Sequence, residues 1–261
     1  MRSRLAAAGI RPSKGLGQHF LLDERVAARQ VGHGGVRSGD TVLEIGPGLG
    51  ILTGHLAAAA RRVVAVEADR RLAKGLTGTW PNVEVIRGDA LTVDLPRFDV
   101  AVANLPFQIS SPITFRILDL PFRRASLMYQ EEFARRLVAT AGTEDYSRLS
   151  VKAYCRSRAA VVERVPPSAF WPPPKVRSAI VVIEPRPWPF PVQDKLLYDA
   201  VVDALFAHRR KKIGTTLASA WHALGLSKPP RDDLPHRDRR VEELPPEEIA
   251  VIADALGGSR R

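Results

Sequence analysis

Cysteine and long apolar runs are scarce in this chain of 261 residues. The single cysteine, Cys155, excludes an intrachain disulfide and a cysteine-rich metal site, and it suits a reducing cytoplasm. No stretch approaches the roughly 20 apolar residues that a membrane-spanning helix needs, and the apolar run at residues 5–10 is too short for a secretory signal core. We therefore expect a cytoplasmic protein that does not enter a membrane.

Acidic residues are also in deficit, because 28 Asp and Glu face 39 Lys and Arg, giving a formal net charge of +11. Such a balance suits a polyanionic partner, most simply nucleic acid, although some proteins merely carry a solvated cationic surface. Hydrophobic residues make up 45% of the chain, which argues for a packed core and against wholesale disorder.

Short apolar segments alternate with amphipathic ones through the first two thirds of the chain. Residues 24–31 are predicted to form an initial helix, with Asp23 as its N-cap. Predicted strands cover residues 41–45, 62–66, 83–86, 100–103 and 125–129, and predicted helices cover 51–60, 70–76, 112–118 and 131–139. This alternation is typical of a doubly wound parallel sheet. Two later β-rich runs, 161–165 and 179–183, predict an antiparallel edge on that sheet.

The sequence changes character at residues 184–191, where four of eight residues are proline. Such a stiff segment is typical of a linker. Beyond it, helices are predicted over residues 195–207, 213–224 and 247–256. We therefore predict an α/β catalytic domain over residues 1–186 and a small all-helical C-terminal domain over 187–261.

Three successive predicted strands end in residues suited to a nucleotide-like ligand. The first runs into EIGPGLG (residues 44–50), whose glycines let the backbone approach a ligand at a helix N-terminus. Glu67 ends the second strand, where a carboxylate can accept from ribose hydroxyls, and Asp89 follows the third, where it can accept from an adenine amine. Each acid alone could be a helix cap or an ion-pair partner, but the carboxyl ends of parallel strands share one crevice.

The fourth strand ends in NLPF, residues 104–107. The Asn104 side-chain oxygen and the Leu105 carbonyl can accept from an exocyclic amine and stabilise charge as its nitrogen attacks an electrophile. Phe107 can stack on the face of a base. An Asn-Pro turn that merely closes a strand is the alternative interpretation.

These motifs resemble, in order and spacing, those of the S-adenosylmethionine-dependent rRNA adenine N6-methyltransferases. The segments that carry the resemblance are GLGQHFL (15–21), EIGPGLG (44–50), VEAD (66–69), GDA (88–90) and NLPF (104–107). Three more segments favour the KsgA/RsmA-type group, which dimethylates two adjacent adenosines near the 3′ end of small-subunit rRNA: YSRLSV (146–151), VPPSAFWPPPKVRS (165–178) and FAHRRKK (206–212). MYQEEFARRLV (128–138) resembles the archaeal version. The resemblance implies a Rossmann-like methyltransferase sheet.

The resemblance also implies roles for single residues. Those implied to contact the cofactor, S-adenosylmethionine, are His19, Leu21, Gly46, Gly48, Glu67, Asp89, Ala90 and Asn104. Those implied to form the target-base site are Asn104, Leu105, Pro106, Phe107 and Phe170, the last as a second stacking aromatic. The family usually has Asn in place of His19 and Tyr in place of Phe107, so we expect stacking from Phe107 but no phenol chemistry. No metal is expected, because a sulfonium methyl is already a strong electrophile.

The expected partner is small-subunit rRNA within a pre-ribosomal particle of the 30S type, bound by a monomer. The basic segment Arg209, Arg210, Lys211 and Lys212 in the C-terminal domain is predicted to contact RNA phosphates, which set position more than sequence specificity. Further candidates are Arg11, Lys14, Arg135, Arg136 and Arg148. A solvated cationic turn is the alternative interpretation of the segment.

Three other functions share part of this pattern. A macrolide-resistance type methyltransferase of large-subunit rRNA would share the cofactor motifs and NLPF. An RNA-binding assembly factor with dispensable catalysis would share the fold, although the intact set of Gly46, Glu67, Asp89 and Asn104 argues for activity. A small-molecule methyltransferase is disfavoured by the net charge and by the additional helical domain.

Overall fold

The computed structural model describes residues 18–230 and 232–258. Two compact units are present. The first comprises the described residues up to 134 together with residues 159–185, and the second comprises residues 135–158 and the described residues from 186 onward. The chain thus leaves the first unit, contributes one segment to the second, and returns before the C-terminal part begins.

The first unit is built on a mixed sheet of seven strands. The strands of the chain are β1 Phe20–Leu21, β2 Thr41–Ile45, β3 Arg62–Glu67, β4 Val83–Arg87, β5 Val100–Asn104, β6 Arg124–Gln130, β7 Ser157–Val165, β8 Phe170–Trp171 and β9 Ser178–Pro185. The large sheet has the order β4-β3-β2-β5-β6-β9-β7. Strands β4, β3, β2, β5 and β6 pair in parallel, and β9 pairs antiparallel with β6. The predicted parallel sheet with an antiparallel addition is therefore confirmed.

Helices connect the parallel strands, and their bounds follow local capping signals. They are α1 Glu24–Gly34, α2 Ile51–Ala59, α3 Arg70–Leu76, α4 Ser110–Leu118 and α5 Glu131–Val138. Asp23 caps α1 by accepting from the Arg25 backbone N–H, and Asp69 caps α3 in the same way through Arg71. The central strands β2, β3 and β5 are buried almost throughout, as expected for a sheet covered on both faces.

A two-stranded antiparallel sheet of β1 and β8 lies outside the large sheet, with Phe20 opposite Trp171 and Leu21 opposite Phe170. Neither strand is predicted from the sequence, since each has only two residues. Phe20 packs with Leu72 and Trp171, whereas Leu21 and Phe170 belong to the main core of the unit. The pairing holds the segment before α1 against the segment that follows the turn at Pro167–Ala169.

The second unit is helical. Its further helices are α6 Arg148–Arg156, α7 Lys195–Phe206, α8 Ile213–Ala220 and α9 Pro246–Gly257. Their buried side chains form one core around Tyr146, Val151, Tyr198 and Leu205. The chain returns to this unit at residue 186, within the predicted linker, and residues 135–158, predicted as part of the catalytic domain, pack in this unit as well. They pack here because α6 buries its apolar face, including Cys155, in the helical core.

Candidate active site

One cavity of the first unit lies at the carboxyl ends of β2, β3 and β5, with the loop after β4 contributing to its wall. Its lining includes the predicted site residues His19, Leu21, Gly46, Gly48, Glu67, Asp89, Asn104, Leu105, Pro106 and Phe107. The strand-end residues named by the sequence analysis therefore meet in one place, as the topology of a parallel sheet requires. The predicted Ala90 and Phe170 are not among the lining residues.

The glycine turn after β2 brings bare backbone to the cavity wall. Gly46 and Gly48 have φ angles of 67° and 58°, a left-handed region that favours glycine. A Cβ atom on Gly48 would lie 3.1 Å from the ring of Phe20, and one on Gly46 would lie 3.5 Å from the ring of Pro106. The glycine turn and the NLPF turn are thus near neighbours across the cavity.

Glu67 is 6% exposed and is held by backbone N–H groups on both carboxylate oxygens. Gly48 donates to Oε2 at 3.1 Å and Asp69 donates to Oε1 at 2.8 Å. Burial raises the pKa of Glu67, while these two hydrogen bonds act in the opposite direction. The carboxylate is therefore fixed in orientation and keeps lone pairs for a further donor in the cavity.

Asp89 lies at the exposed side of the cavity, on the loop after β4. Its Oδ1 accepts from the Leu91 backbone N–H at 2.9 Å, which turns the carboxylate back over its own loop. Ala90 follows it and is 6% exposed. The neighbouring Gly88 donates its N–H to the carbonyl of Glu67 at 3.0 Å, so the two acidic segments are tied together.

The NLPF turn presents two acceptors to the cavity. Asn104 donates its Nδ2 to the carbonyl of His19 at 3.4 Å, and its Oδ1 is an acceptor. Leu105 donates its N–H to the Met128 carbonyl at 3.2 Å, and its own carbonyl is the second acceptor of the turn. Both residues line the cavity, so both oxygens are suited to a ligand amine.

Phe107 begins a single 3-10 turn at residues 107–109. Its ring lies beside the ring of His19, with centroids 5.7 Å apart and planes tilted by 32°. His19 is fixed in turn through its Nδ1, which lies 2.7 Å from the Pro172 carbonyl. The residue is His here where the family usually has Asn. Its ring forms part of the wall next to the predicted stacking face.

The prediction that Phe170 stacks on a target base is not supported by this arrangement. Phe170 is 3% exposed and packs in the core with Leu21, Val26 and Ile180. The cause is the pairing of β1 with β8, because Leu21 and Phe170 are opposite one another and point to the same core. The following residue, Trp171, is directed to the other side, against Phe20 and Leu72.

A further carboxylate, Glu44, lines the cavity although the sequence analysis gave it no role. It is 1% exposed, and its Oε2 has no hydrogen-bond partner among the described residues. Burial raises the pKa of Glu44 to about 8, with the nearby Glu67 carboxylate acting in the same direction. The signal in the sequence was a lone carboxylate near the end of a buried strand, two residues before Gly46.

The basic segment belongs to the second unit and divides into two kinds of residue. Arg209 donates Nη1 to the carbonyls of Glu144 and Tyr146, at 2.7 and 2.9 Å, and Lys212 pairs with Asp238 at 3.2 Å. Arg210 and Lys211 are exposed, and neither forms an ion pair with a described residue. That all four contact RNA stays a prediction, although the Arg209 guanidinium is also used inside the unit.

The other predicted phosphate contacts are mixed in the same way. Arg135 pairs with Asp145 at 3.2 Å and Arg148 pairs with Asp203 at 3.5 Å, whereas Arg136 is exposed. Arg11 and Lys14 lie outside the described residues.

Across residues 18–230 and 232–258, no group of three His, Cys, Asp or Glu side chains could hold a metal ion. In the same ranges no helix has the length and apolar character needed to span a bilayer.

The fold and the cavity together are those of the Rossmann-like methyltransferases. Within that class, residues 11–256 match the family model described as ribosomal RNA adenine dimethylase, and the chain belongs to this family. A protein from the archaeon Thermococcus kodakarensis, described as a probable ribosomal RNA small subunit methyltransferase A, is 45% identical over 98% of this chain and 95% of its own length. The predicted resemblance to the small-subunit group is thereby confirmed.

Solved structures agree with the assignment to the family. The dimethyladenosine transferase of Plasmodium falciparum has a TM-score of 0.74 and 28% identity, covering 90% of this chain and 96% of its own. The 23S rRNA methyltransferase ErmE has a TM-score of 0.66 and 31% identity, covering 91% of this chain and 99% of its own. Both similarities extend over the α/β unit and into the helical unit, since the α/β unit alone is too short to account for them.

Proposed function

We propose that this protein transfers methyl groups from S-adenosylmethionine to the N6 atoms of two adjacent adenosines near the 3′ end of small-subunit rRNA, during assembly of that subunit. The observation that carries the proposal is the meeting of Glu67, Asp89 and Asn104 in one cavity, although each lies at or just after the end of a different strand. Membership of the dimethylase family and the identity to an archaeal small-subunit enzyme support the substrate class.

The part of the cavity lined by Gly46, Glu67 and Asp89 is suited to an adenosine-containing cofactor. Glu67 is fixed by Gly48 and Asp69, and its remaining lone pairs can accept from two ribose hydroxyls. Asp89 can accept from the adenine amine at the exposed side. The bare backbone at Gly46 leaves space for the methionine part beside the NLPF turn.

When bound, the cofactor supplies an electrophilic methyl group on its sulfonium sulfur. The protein's task is to align an adenine N6 with that methyl and to stabilise the positive charge that develops on the nitrogen. The Asn104 Oδ1 and the Leu105 carbonyl are suited to accept the two amine hydrogens. Two such acceptors favour a pyramidal nitrogen, whose lone pair is free to attack.

The target adenine has to leave its base stack before it can reach these acceptors. Phe107 offers an aromatic face beside the NLPF turn, and stacking on it offsets part of the unstacking cost. Dimethylation also requires that a nitrogen already carrying one methyl group turns and reacts again. The rRNA would be held by exposed cations, among them Arg210 and Lys211.

Methylation of isolated small subunits tests the proposal. The protein would be incubated with methyl-labelled S-adenosylmethionine and small ribosomal subunits that lack the modification, with naked rRNA in a parallel reaction. We expect N6,N6-dimethyladenosine in the nucleoside digest, and primer extension should stop at two adjacent adenosines near the 3′ end. Absence of labelled dimethyladenosine from both substrates would contradict the proposal.

Large-subunit rRNA is the second candidate substrate, and the similarity to the 23S rRNA methyltransferase ErmE favours considering it. The same reaction with unmodified large-subunit rRNA separates the two. Label confined to the large-subunit rRNA would replace the first proposal by the second. An assembly factor with dispensable catalysis would instead bind the particle equally well after Asn104→Ala and support subunit assembly without methylation.

A further inference from the structure

Arg116, on α4, is bonded to the loop that carries Asp89. Its Nη1 donates to the carbonyl of Ala90 at 2.7 Å, and its Nη2 donates to the carbonyl of Val93 at 2.5 Å. The side chain is half-buried. One guanidinium therefore bridges the carbonyls of Ala90 and Val93 in the loop after β4, using the rigid fork geometry that a lysine lacks.

The loop that Arg116 holds is compact and sets the direction of the Asp89 carboxylate. Thr92 and Val93 donate their N–H groups to the Asp89 carbonyl, each at 2.9 Å, and Leu91 donates to Oδ1 at 2.9 Å. A Cβ on Gly88 would lie 2.3 Å from Val93, so the loop folds back closely on itself. Displacement of its outer carbonyls would therefore move the carboxylate as well.

The other end of the connection is rigid. Helix α4 begins at Ser110, directly after the NLPF turn and its 3-10 continuation. Ile113 and Ile117 are buried, and the Thr114 hydroxyl lies 2.6 Å from the Ser110 carbonyl and 2.7 Å from the Tyr129 hydroxyl. Arg116 thus fastens the Asp89 loop to the helix that supports the target-base turn.

We propose that Arg116 is a positioning residue that gives the cofactor site its preference for adenine, by holding the Asp89 carboxylate against the 6-amino group. This inference rests on the proposed function. A carboxylate in that place accepts from the amino group of adenine and repels the 6-oxo group of hypoxanthine. Loss of the guanidinium leaves the carboxylate present but without a fixed direction, so discrimination falls more than folding does.

Calorimetric binding of two ligands tests the role. S-adenosylhomocysteine has a 6-amino group on its base, whereas S-inosylhomocysteine has a 6-oxo group and a protonated N1, and the ratio of their dissociation constants measures the preference. For Arg116→Met we expect affinity for S-adenosylhomocysteine to fall about tenfold, as for loss of a charge-assisted hydrogen bond, with a smaller change for S-inosylhomocysteine. Arg116→Lys, which keeps the charge and reaches one carbonyl, should lie between. In methylation assays of Arg116→Met, the KM for S-adenosylmethionine should change more than kcat does.

Arg123→Met is the matched control, since Arg123 also donates to a backbone carbonyl, that of Gly35, and to Asp40, but at the amino end of β6. It should keep the wild-type ratio, and thermal unfolding would show that each variant is folded. The role of Arg116 would be overturned if folded Arg116→Met kept the wild-type ratio of dissociation constants, or if Arg123→Met lost the preference equally. Either result would leave the proposed function unaffected. A wild-type protein that binds neither ligand would instead overturn the proposed function and this inference with it.

Discussion

The cavity of the first unit and the basic turn of the second both gather polar side chains, but they hold them differently. In the cavity, the Glu67 carboxylate is buried and bonded to two backbone N–H groups, so a ligand meets it in a set geometry. In the turn, Arg210 and Lys211 extend into solvent and must be ordered by whatever they bind. Substitutions in the cavity should therefore have large, specific effects, and those in the turn small effects that depend on salt.

The largest effect is expected for Asn104→Ala. Loss of one of two acceptors for the attacking amine should lower kcat by about 100-fold or more, while affinity for S-adenosylhomocysteine changes little. Single-turnover methylation and calorimetry would measure the two quantities. Asn82→Ala serves as control, because Asn82 also donates to backbone carbonyls, those of Ala57 and Ala60, but does not line the cavity. Equal losses of binding and turnover in Asn104→Ala would mean that its role is misassigned.

Glu67→Ala should act on cofactor binding. Removal of a buried acceptor for ribose hydroxyls should weaken S-adenosylhomocysteine by about tenfold or more. The neighbouring Asp69→Ala is the control: Asp69 caps α3 and pairs with Arg71, and it is absent from the cavity wall. That variant should lose stability but keep most of its affinity. A Glu67→Ala protein with wild-type affinity would remove the carboxylate from the cofactor site.

Glu44 should make stability depend on pH in the absence of cofactor. Burial raises the pKa of Glu44 from 4.5 to about 8, so between these values the folded protein keeps a proton that the unfolded chain has lost. The free energy of unfolding should therefore fall as pH rises from about 4.5 to about 8, by at most ~1.4 kcal/mol per pH unit. Urea unfolding at several pH values would measure the slope.

Glu44→Gln has no such proton, so its stability should fall less steeply across the same range. Glu84→Gln provides the comparison, because Glu84 is exposed on the edge strand β4 and pairs with Arg62. It should leave the wild-type slope in place. An identical slope in Glu44→Gln and wild type would show that the Glu44 carboxylate is ionised in the folded protein at neutral pH.

The smallest effect is expected in the basic turn. The double substitution Arg210→Ala, Lys211→Ala should remove two phosphate contacts on single-stranded RNA. The plot of log affinity for rRNA against log salt concentration should therefore become less steep, with its slope reduced in magnitude by about 1.4. Its stability should stay near wild type. Arg209→Ala should do the reverse, with a loss of about 1–3 kcal/mol in stability from the two carbonyls it leaves without a donor. Filter binding at several salt concentrations and thermal unfolding would separate them.

Most of the α/β unit could be predicted from the sequence because its strands are short, apolar and followed by glycine, acidic or proline-containing turns. Strand β2 and helix α3 have the predicted bounds. In the helical unit, the helix predicted over residues 213–224 ends early, at Ala220. The missed elements had weak local signals. Strands β1 and β8 exist through their mutual pairing, and α6 forms where its apolar face meets the helical core.

The sequence by itself determined where the parallel strands lie along the chain and which residues stand at their ends. Those end residues were expected to meet, since parallel strands linked by helices bring their carboxyl ends to one edge. Only the tertiary structure decided which side chains remain available there. It buried Phe170 in the core of the first unit, engaged Arg209 inside the helical unit, and left Oε2 of Glu44 without a donor among the described residues. The reason is physical: local patterns specify direction and periodicity, whereas the availability of a side chain depends on partners distant in the sequence.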